Sequence, residues 1–260
     1  MKICRFEKDN QINFGINREN QVYPLKEFPV IRQLKSQIIE DTVYNFNEIK
    51  LLSPVAPSKI VCVGRNYAEH AKELDNVIPN EPLLFLKAPS ALICNDESIY
   101  IPKQSNQVEH EAELGVVIGT HCKNLKETDE ALQFVLGFIC LNDVTARDLQ
   151  RKDGQFTRAK SFDTFCPISN LIETELDISD LRITAKVNNL VKQDSRTSQM
   201  VFSVPFLIRY ISNQMSLNEG DIIATGTPAG VSKLNDGDIC EIEIEGLDCL
   251  KNTVKKMENL

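Results

Sequence analysis

Short strand-like segments that do not alternate with helices constrain the fold of this chain more than any other feature. Beyond residue 57 the pattern predicts strands at 59–63, 83–87, 107–118, 136–142, 181–187, 221–225, 238–244 and 249–255. Helices are predicted only at 66–74, 128–134, 145–151 and 203–213. A doubly wound parallel sheet would need a helix after nearly every strand. The sequence therefore predicts a strand-rich α+β fold, with sheets rolled or stacked on each other.

Two prolines in the segment LLSPVAPSKI, residues 51–60, precede a clean buried strand and mark a boundary in the chain. Upstream of the boundary, residues 1–56 combine short strand-like pieces with one plausible helix near 29–40. We expect residues 1–56 to form a small N-terminal appendage and residues 57–260 to form the main domain.

Charge and hydropathy argue against several classes of protein. A net charge of −8 disfavours non-specific binding to nucleic acid or to an anionic membrane, because both require a basic surface. No apolar run approaches the roughly 20 residues needed to span a bilayer. The opening residues MKICRFEKDN lack the apolar core of a signal peptide. We therefore expect a cytoplasmic protein that binds neither nucleic acid nor membrane.

The eight cysteines and three histidines limit the kind of metal site that the chain can hold. No two cysteines have the C-x-x-C spacing. Several lie inside apolar strands, where a reduced cysteine behaves as a small hydrophobic residue. A zinc site rich in histidine is therefore not expected, and a bound metal would take oxygen ligands.

The segment VEHEAELGVVIG, residues 108–119, aligns three acids on one face of a predicted strand. Glu109, Glu111 and Glu113 alternate, so neighbouring Cα atoms would lie about 7 Å apart. Two carboxylates at that distance repel by roughly 2 kcal/mol at an effective dielectric constant of about 20. One interpretation is the solvated face of an edge strand. The apolar continuation LGVVIG instead indicates a strand covered on both faces, in which Mg²⁺, Mn²⁺ or Ca²⁺ would neutralise the acids.

Further polar residues follow the next predicted buried strand. Asp143 lies where that strand gives way to a helix, a position typical both of a helix N-cap and of a ligand-facing residue. Arg147 and Gln150 share a face of this helix, which on its own indicates no more than helix surface. Lys160 lies between a small residue and an aromatic segment, which is an unusual position for a fully solvated lysine. A surface lysine with a buried stem is the commoner explanation of such a position.

The segment GRNYAEHAKELD, residues 64–75, predicts a short helix that carries a histidine. Asn66 is expected to cap this helix, and Glu69 to complete a capping box. His70 lies on the apolar stripe, where a histidine is more often packed against a core than catalytic. Glu73, three residues on, can reach the ring and raise its basicity, as in a general-base pair. Because so short a helix is unstable alone, it is also a candidate for a lid that orders over a ligand.

Together these segments resemble the fumarylacetoacetate hydrolase family over about residues 57–256, and in particular its acylpyruvase and 2-hydroxyhepta-2,4-diene-1,7-dioate isomerase members. Seven collinear segments carry the resemblance: IVCVGRNYAEHAKEL, PLLFLKAPSAL, EHEAELGVVIG, GFICLNDVTARDLQ, RAKSFDTFCPIS, TSQMVFSVPFLIRYIS and LNEGDIIATGTPAGV. The resemblance implies a mixed fold of rolled and layered β-sheet, a homodimer and a catalytic domain at 57–260. It assigns no chemistry to residues 1–56.

The resemblance also implies roles for individual residues. The implied ligands of Mg²⁺ or a similar divalent ion are Glu111, Glu113 and Asp143. The implied catalytic residues are His70 and Glu73, as a water-activating pair on a mobile lid, and Lys160, beside the metal and the developing enolate. The positions that hold substrate oxygens are Arg147, Gln150 and Thr227. Glu109 falls outside the ligand set and becomes a surface acid or a neighbour of the ligands.

The implied substrate is a small 2-oxo acid, or its enol, with a second carbonyl further along. Hydrolysis of the carbon–carbon bond in an acylpyruvate is the first expectation. Isomerisation of a 2-hydroxy-dienedioate or decarboxylation of oxaloacetate would use the same enolate site. A non-catalytic protein that binds a metal and a small dicarboxylate is the alternative of another class.

Overall fold

Strands dominate the described part of the chain, residues 1–19 and 21–257 of this computed structural model. The strands are β1 (Lys2–Lys8), β2 (Gln11–Arg18), β3 (Gln21–Pro24), β4 (Tyr44–Asn45), β5 (Lys50–Leu52), β6 (Ile60–Gly64), β7 (Leu83–Lys87), β8 (Leu92–Ile93), β9 (Ser98–Ile101), β10 (Val108–Glu109), β11 (Ala112–Ile118), β12 (Val135–Asn142), β13 (Thr145–Ala146), β14 (Cys166–Pro167), β15 (Ile172–Glu173), β16 (Arg182–Val187), β17 (Leu190–Arg196), β18 (Ile222–Ala224), β19 (Ile239–Ile244) and β20 (Leu250–Lys256).

Helices are few and short. The α-helices are α1 (Leu34–Gln37), α2 (Ala68–Glu73), α3 (Arg147–Asp153), α4 (Thr157–Lys160) and α5 (Val204–Gln214). The 3₁₀ helices are Ile31–Gln33, Phe46–Glu48, Pro89–Ala91, Ala131–Phe134 and Thr197–Gln199. Among the described residues, no helix combines the length and the apolar character that crossing a membrane would require.

An 11-stranded mixed sheet forms the centre of the fold, in the order β4-β3-β2-β1-β15-β12-β11-β18-β6-β7, with β5 also paired to β1. Strands β11 and β12 pair antiparallel, and every residue of both is buried. Because both faces of these strands are covered, their sequences are apolar without alternation. The two central strands therefore provide a rigid base for the residues at their ends.

A second sheet of five strands, in the order β17-β16-β19-β20-β9, packs on the main sheet through contacts of β16 with β11 and of β19 with β12. Burial alternates along β19 and β20, as expected when one face of a sheet packs on the core and the other meets water. Layered sheets with few helices confirm the predicted α+β class.

Several predicted boundaries differ from the observed ones. The helix predicted at 128–134 is a single 3₁₀ turn, Ala131–Phe134, and the one predicted near 29–40 is limited to residues 31–37. Strand β17 was missed because its sequence, LVKQDSR, lacks apolar alternation. Pairing with β16, rather than its own pattern, makes this segment a strand.

The N-terminal strands continue the main sheet. Strand β1 pairs with β15, placing Lys2 opposite Glu173 and Ile3 opposite Ile172. Cys4, Phe6 and Val22 form a small second core, against which Leu171 also packs. The division of the chain at residue 56 stays a prediction.

Candidate active site

The predicted strand at 107–118 is divided in two near His110. Val108 and Glu109 pair with β13, whereas Ala112 and the residues after it pair with β12. The break turns Glu109 towards Arg147, whose Nε donates to Glu109 Oε2 at 2.7 Å. Glu109 is buried, so the interpretation of it as a surface acid is wrong. It lies beside the neighbouring acids as the partner of an arginine.

The carboxylates of Glu111, Glu113 and Asp143 converge at the ends of β11 and β12. Each offers an oxygen within 4.8 Å of the others, and all three side chains are buried. The backbone N–H of Asp143 donates to the Glu111 carbonyl oxygen at 2.9 Å, which fixes the spacing of these two segments. An all-oxygen set of this size fits a hard divalent cation.

Three buried cations surround these carboxylates. Lys160 Nζ donates to Glu111 Oε2 and to Asp143 Oδ2, both at 2.7 Å. Lys87 Nζ donates to the other oxygen of Asp143 at 2.6 Å. Arg147 donates from Nη2 to Glu111 Oε1. Burial alone would raise the pKa of Glu111, but the positive charges of Lys160 and Arg147 outweigh it and hold that pKa below its usual range.

Glu113 differs from the other two carboxylates because no cationic side chain pairs with it among the described residues. Its Oε2 accepts the backbone N–H of Gly226 at 2.7 Å. Burial, followed by the negative charges of Asp143 and Glu111, raises the pKa of Glu113 well above its usual value. The three carboxylates and Glu109 form one cluster with Lys87, Lys160 and Arg147. When all four acids are ionised, this cluster carries one net negative charge. A divalent ion would relieve the repulsion at Glu113, so these residues fit a metal.

The raised pKa of Glu113 predicts a pH-dependent affinity for Mg²⁺. A raised pKa means that the folded protein holds the proton of this carboxyl group more tightly than the unfolded chain does. The protonated group therefore contributes to the stability of the metal-free protein below its ordinary pKa, and this contribution is lost as the pH rises through the raised pKa. Since a metal binds the ionised form, we expect Mg²⁺ binding to release a proton and to strengthen by up to about tenfold per pH unit below that pKa. Calorimetry in buffers of different ionisation enthalpy measures both effects.

The matched control for this pH effect is Glu113→Gln, which removes the titrating group but keeps its shape. We expect the variant to bind Mg²⁺ more weakly and with a flatter pH profile. A wild-type affinity that stays constant between about pH 5 and 8 would contradict the assignment of the displaced proton to Glu113.

Helix α2 carries His70 and Glu73 into the same region. His70 is buried, and its Nδ1 lies 3.1 Å from Glu73 Oε2. The other carboxylate oxygen of Glu73 accepts the backbone N–H of Gly230 at 3.0 Å. A ring whose Nδ1–H is held by a carboxylate keeps Nε2 as the proton-accepting atom. The pair therefore has the geometry of an oriented general base.

The capping prediction for this helix was wrong. Tyr67, not Asn66, occupies the N-cap position, and the structure shows no side-chain cap there. The Asn66 amide instead donates to the carbonyl oxygens of Phe202 and Thr225, at 3.0 and 2.7 Å. Tertiary partners replace the local cap because Asn66 is fully buried between two loops.

The loop after β18, residues 225–230, joins the carboxylates to α2. Gly226, at φ +101°, donates to Glu113, and a side chain there would lie 2.7 Å from Asn66 Cβ. Gly230, at φ +102°, donates to Glu73, and its added Cβ would meet a backbone oxygen at 2.1 Å. Both positions therefore require glycine. One loop thus orients a predicted metal ligand and the predicted base.

A buried glutamine fixes Thr227 within this loop. Gln193 Nε2 donates to Thr227 Oγ1 at 2.8 Å and to the Pro228 carbonyl oxygen at 2.6 Å. Its Oε1 accepts the backbone N–H of Ala112 at 2.9 Å and lies 3.2 Å from His110 Nδ1. Gln193 therefore ties the loop to the start of β11.

All nine predicted site residues line one cavity of about 580 Å³. They are His70, Glu73, Glu111, Glu113, Asp143, Arg147, Gln150, Lys160 and Thr227. Gln150 Oε1 accepts from Arg147 Nη1 at 2.5 Å, which leaves the Gln150 amide nitrogen without a hydrogen bond to any described residue. The individual roles of the nine residues in metal binding, substrate binding and catalysis stay predictions.

Two residues of the site were missed from the sequence. Lys87 reads as the polar end of the strand LLFLK, and its partner Asp143 is distant in the chain. Gln193 lies in the polar strand β17. No local signal marks Gln193. For Lys87, the position directly after four apolar strand residues could have indicated a buried cation.

Comparison with known proteins identifies the family. The model for the fumarylacetoacetate (FAA) hydrolase C-terminal domain matches residues 59–255. A second model, Rv2993c-like, N-terminal, matches residues 1–54. The mitochondrial oxaloacetate decarboxylase of Dictyostelium discoideum is 44% identical over 197 residues, which cover 73% of this chain and 90% of that protein.

Solved structures agree with the family model. The 2-hydroxyhepta-2,4-diene-1,7-dioate isomerase of Mycobacterium marinum is 36% identical, with a TM-score of 0.88 and full coverage of both chains. The fumarylpyruvate hydrolase of Pseudomonas aeruginosa, solved with Mn²⁺ and pyruvate, is 29% identical with a TM-score of 0.73, over 78% of this chain and 91% of that one. Sequence and fold therefore agree that this chain belongs to the fumarylacetoacetate hydrolase family.

Proposed function

We propose that this protein is a hydrolase, dependent on a divalent metal, that cleaves the carbon–carbon bond of an acylpyruvate-type 2,4-dioxo acid. The observation that carries the proposal is the position of the His70–Glu73 pair in the cavity of the three carboxylates. A site that only binds a metal and an acid has no need of an oriented base. Activation of water requires a base that faces the bound 2-oxo acid.

Glu111, Glu113 and Asp143 would hold Mg²⁺, with Mn²⁺ or Ca²⁺ as alternatives. When bound, the ion supplies positive charge beside the carboxylate and the 2-oxygen of the substrate. Lys160 adds a second positive charge. Its ammonium has three N–H donors, and two are held by Glu111 and Asp143, so the third is left for a substrate oxygen. The predicted substrate contacts of Arg147, Gln150 and Thr227 belong to this proposal.

His70 would remove a proton from water through Nε2, while Glu73 stabilises the charged ring. The hydroxide adds to the 4-carbonyl carbon, and the bond between C3 and C4 breaks. Its electron pair passes to C3 as the enolate of pyruvate, which takes the proton back from His70. The products are pyruvate and the carboxylic acid of the acyl group. Positive charge that is fixed before the reaction stabilises the developing anion more than the substrate.

Decarboxylation of oxaloacetate is the second candidate. The observation that favours it is the 44% identical oxaloacetate decarboxylase of Dictyostelium discoideum. Decarboxylation and hydrolysis use the same enolate, but decarboxylation adds no water to a distal carbonyl.

A substrate panel tests the proposal. Acetylpyruvate, fumarylpyruvate, oxaloacetate and a 2-hydroxy-dienedioate are each incubated with protein and Mg²⁺, and the products are identified. We expect release of pyruvate from an acylpyruvate, and loss of that activity with a chelator. Turnover of oxaloacetate or the dienedioate alone would overturn the hydrolase. Binding of Mg²⁺ and ligand without turnover of any compound would favour the non-catalytic binder.

We also expect the protein to be a homodimer and to act in the cytoplasm.

A further inference from the structure

Arg65 stands at a strained position on the wall of the cavity. It directly follows β6 and has a φ of +59°, in the left-handed region that a bulky side chain rarely adopts. Such strain persists only where the surrounding structure imposes it, and it is concentrated at functional sites. An arginine occupies this position although glycine would relieve the strain.

The neighbouring residue holds the backbone in this conformation. The side-chain amide of Asn66 donates to two backbone carbonyl oxygens, and its Oδ1 accepts the backbone N–H of Phe202 at 2.7 Å. The Asn66 carbonyl oxygen accepts the N–H of Val201 at 2.8 Å. These bonds fix the bend after β6, so the position of Arg65 at the cavity is built into the fold.

The guanidinium of Arg65 has no partner among the described residues that line this cavity. Arg65 is half-buried, lines the cavity, and has no hydrogen bond or ion pair with any other described residue. Lys160 and Arg147 line the same cavity but are held by the buried acids. Arg151 is exposed and donates to Gln107 at 3.4 Å. Asp75, also on the wall, is acidic and cannot bind an anion.

The charge of the buried cluster indicates which group of a ligand Arg65 would bind. Its four acids and three cations leave one negative charge, so a divalent ion brings the cluster to one positive charge. The carboxylate of a 2-oxo acid then neutralises it. A second carboxylate on the same substrate would find no remaining charge there and would need a cation elsewhere. A guanidinium is suited to this because it can form two parallel bonds with a carboxylate.

We propose that Arg65 binds the distal carboxylate of a dicarboxylic 2-oxo acid and makes the site selective for dicarboxylic over monocarboxylic substrates. The inference rests on the proposed function, because it assumes that a 2-oxo acid binds at the three carboxylates. Among acylpyruvates it selects a compound such as fumarylpyruvate over acetylpyruvate.

Binding of two unreactive ligands of equal chain length tests this proposal without turnover. 2-Oxoadipate and 2-oxohexanoate share the 2-oxo acid end and differ in the distal carboxylate. With Mg²⁺ saturating, we expect calorimetry to show that the wild type binds 2-oxoadipate at least about tenfold more tightly, as for a charge-assisted hydrogen bond. Arg65→Gln should bind both ligands equally, and Arg65→Lys should keep part of the preference.

Two further variants separate selectivity from folding and from general charge. Arg65→Gly relieves the positive-φ strain, so it should melt no lower than the wild type and still lose the preference. Arg151→Gln removes a positive charge from the same wall and should keep the preference. Equal binding of both ligands by the wild type would overturn the role of Arg65 but leave the proposed function standing. Binding of neither ligand would overturn the 2-oxo acid site and this inference with it.

Discussion

Replacing His70 with alanine is expected to lower kcat for acylpyruvate hydrolysis by about 10³-fold, the usual contribution of a positioned general base. The affinity for Mg²⁺ should stay nearly unchanged, because His70 makes no hydrogen bond to the three carboxylates. Steady-state kinetics and calorimetry on the same preparation measure the two effects separately.

The matched control for this variant is Glu73→Gln. It keeps the size of the side chain and removes the charge that orients the ring, so kcat should fall by less than in His70→Ala. A substituted His70 that leaves turnover unchanged would contradict the base assignment. A large loss of Mg²⁺ affinity in His70→Ala would instead place the ring in the metal site.

Substitution of Lys87 by methionine is expected to be the most destabilising single change at the site. Lys87 and Asp143 are both fully buried and joined at 2.6 Å. Removing the ammonium leaves a buried carboxylate without that partner, which costs about 3–5 kcal/mol of unfolding free energy in metal-free protein. Urea denaturation in the presence of a chelator measures the loss.

Mg²⁺ should recover part of the stability that Lys87→Met loses, because the ion supplies positive charge beside Asp143. The matched control is Lys186→Met, which breaks a pair of similar length, 2.7 Å, between partly exposed side chains. We expect that variant to unfold close to the wild-type urea midpoint. A Lys87→Met variant no less stable than this control would show that Lys87 does not hold Asp143 in solution.

How much of the site the sequence predicts depends on whether the signal is local. Glu111 directly precedes β11, Glu113 lies in it, and Asp143 directly follows β12, so their association follows from the pairing of the two strands. Periodicity alone also includes Glu109. It could not exclude Glu109 because the break near His110 arises from pairing with β13, a strand of two residues without its own pattern.

Contacts between distant segments account for what the sequence did not predict. Asn66 has the local environment of a helix cap, yet it bonds to carbonyl oxygens of two loops far along the chain. Gln193 lies in a strand without apolar alternation and serves the loop at Thr227. In both cases a tertiary partner outweighed the local preference, which is the usual limit of pattern analysis.

Pairing of β1 with β15 has a consequence for aggregation. The edge of a sheet is a template on which other chains can add strands. Without the N-terminal strands, that edge would lie at β15, two residues long, beside the fully buried β12. Residues 1–52 move it out to β4, a strand of only two residues, Tyr44 and Asn45. The N-terminal part thus shields β12, the strand that leads into Asp143, from pairing with a neighbouring molecule.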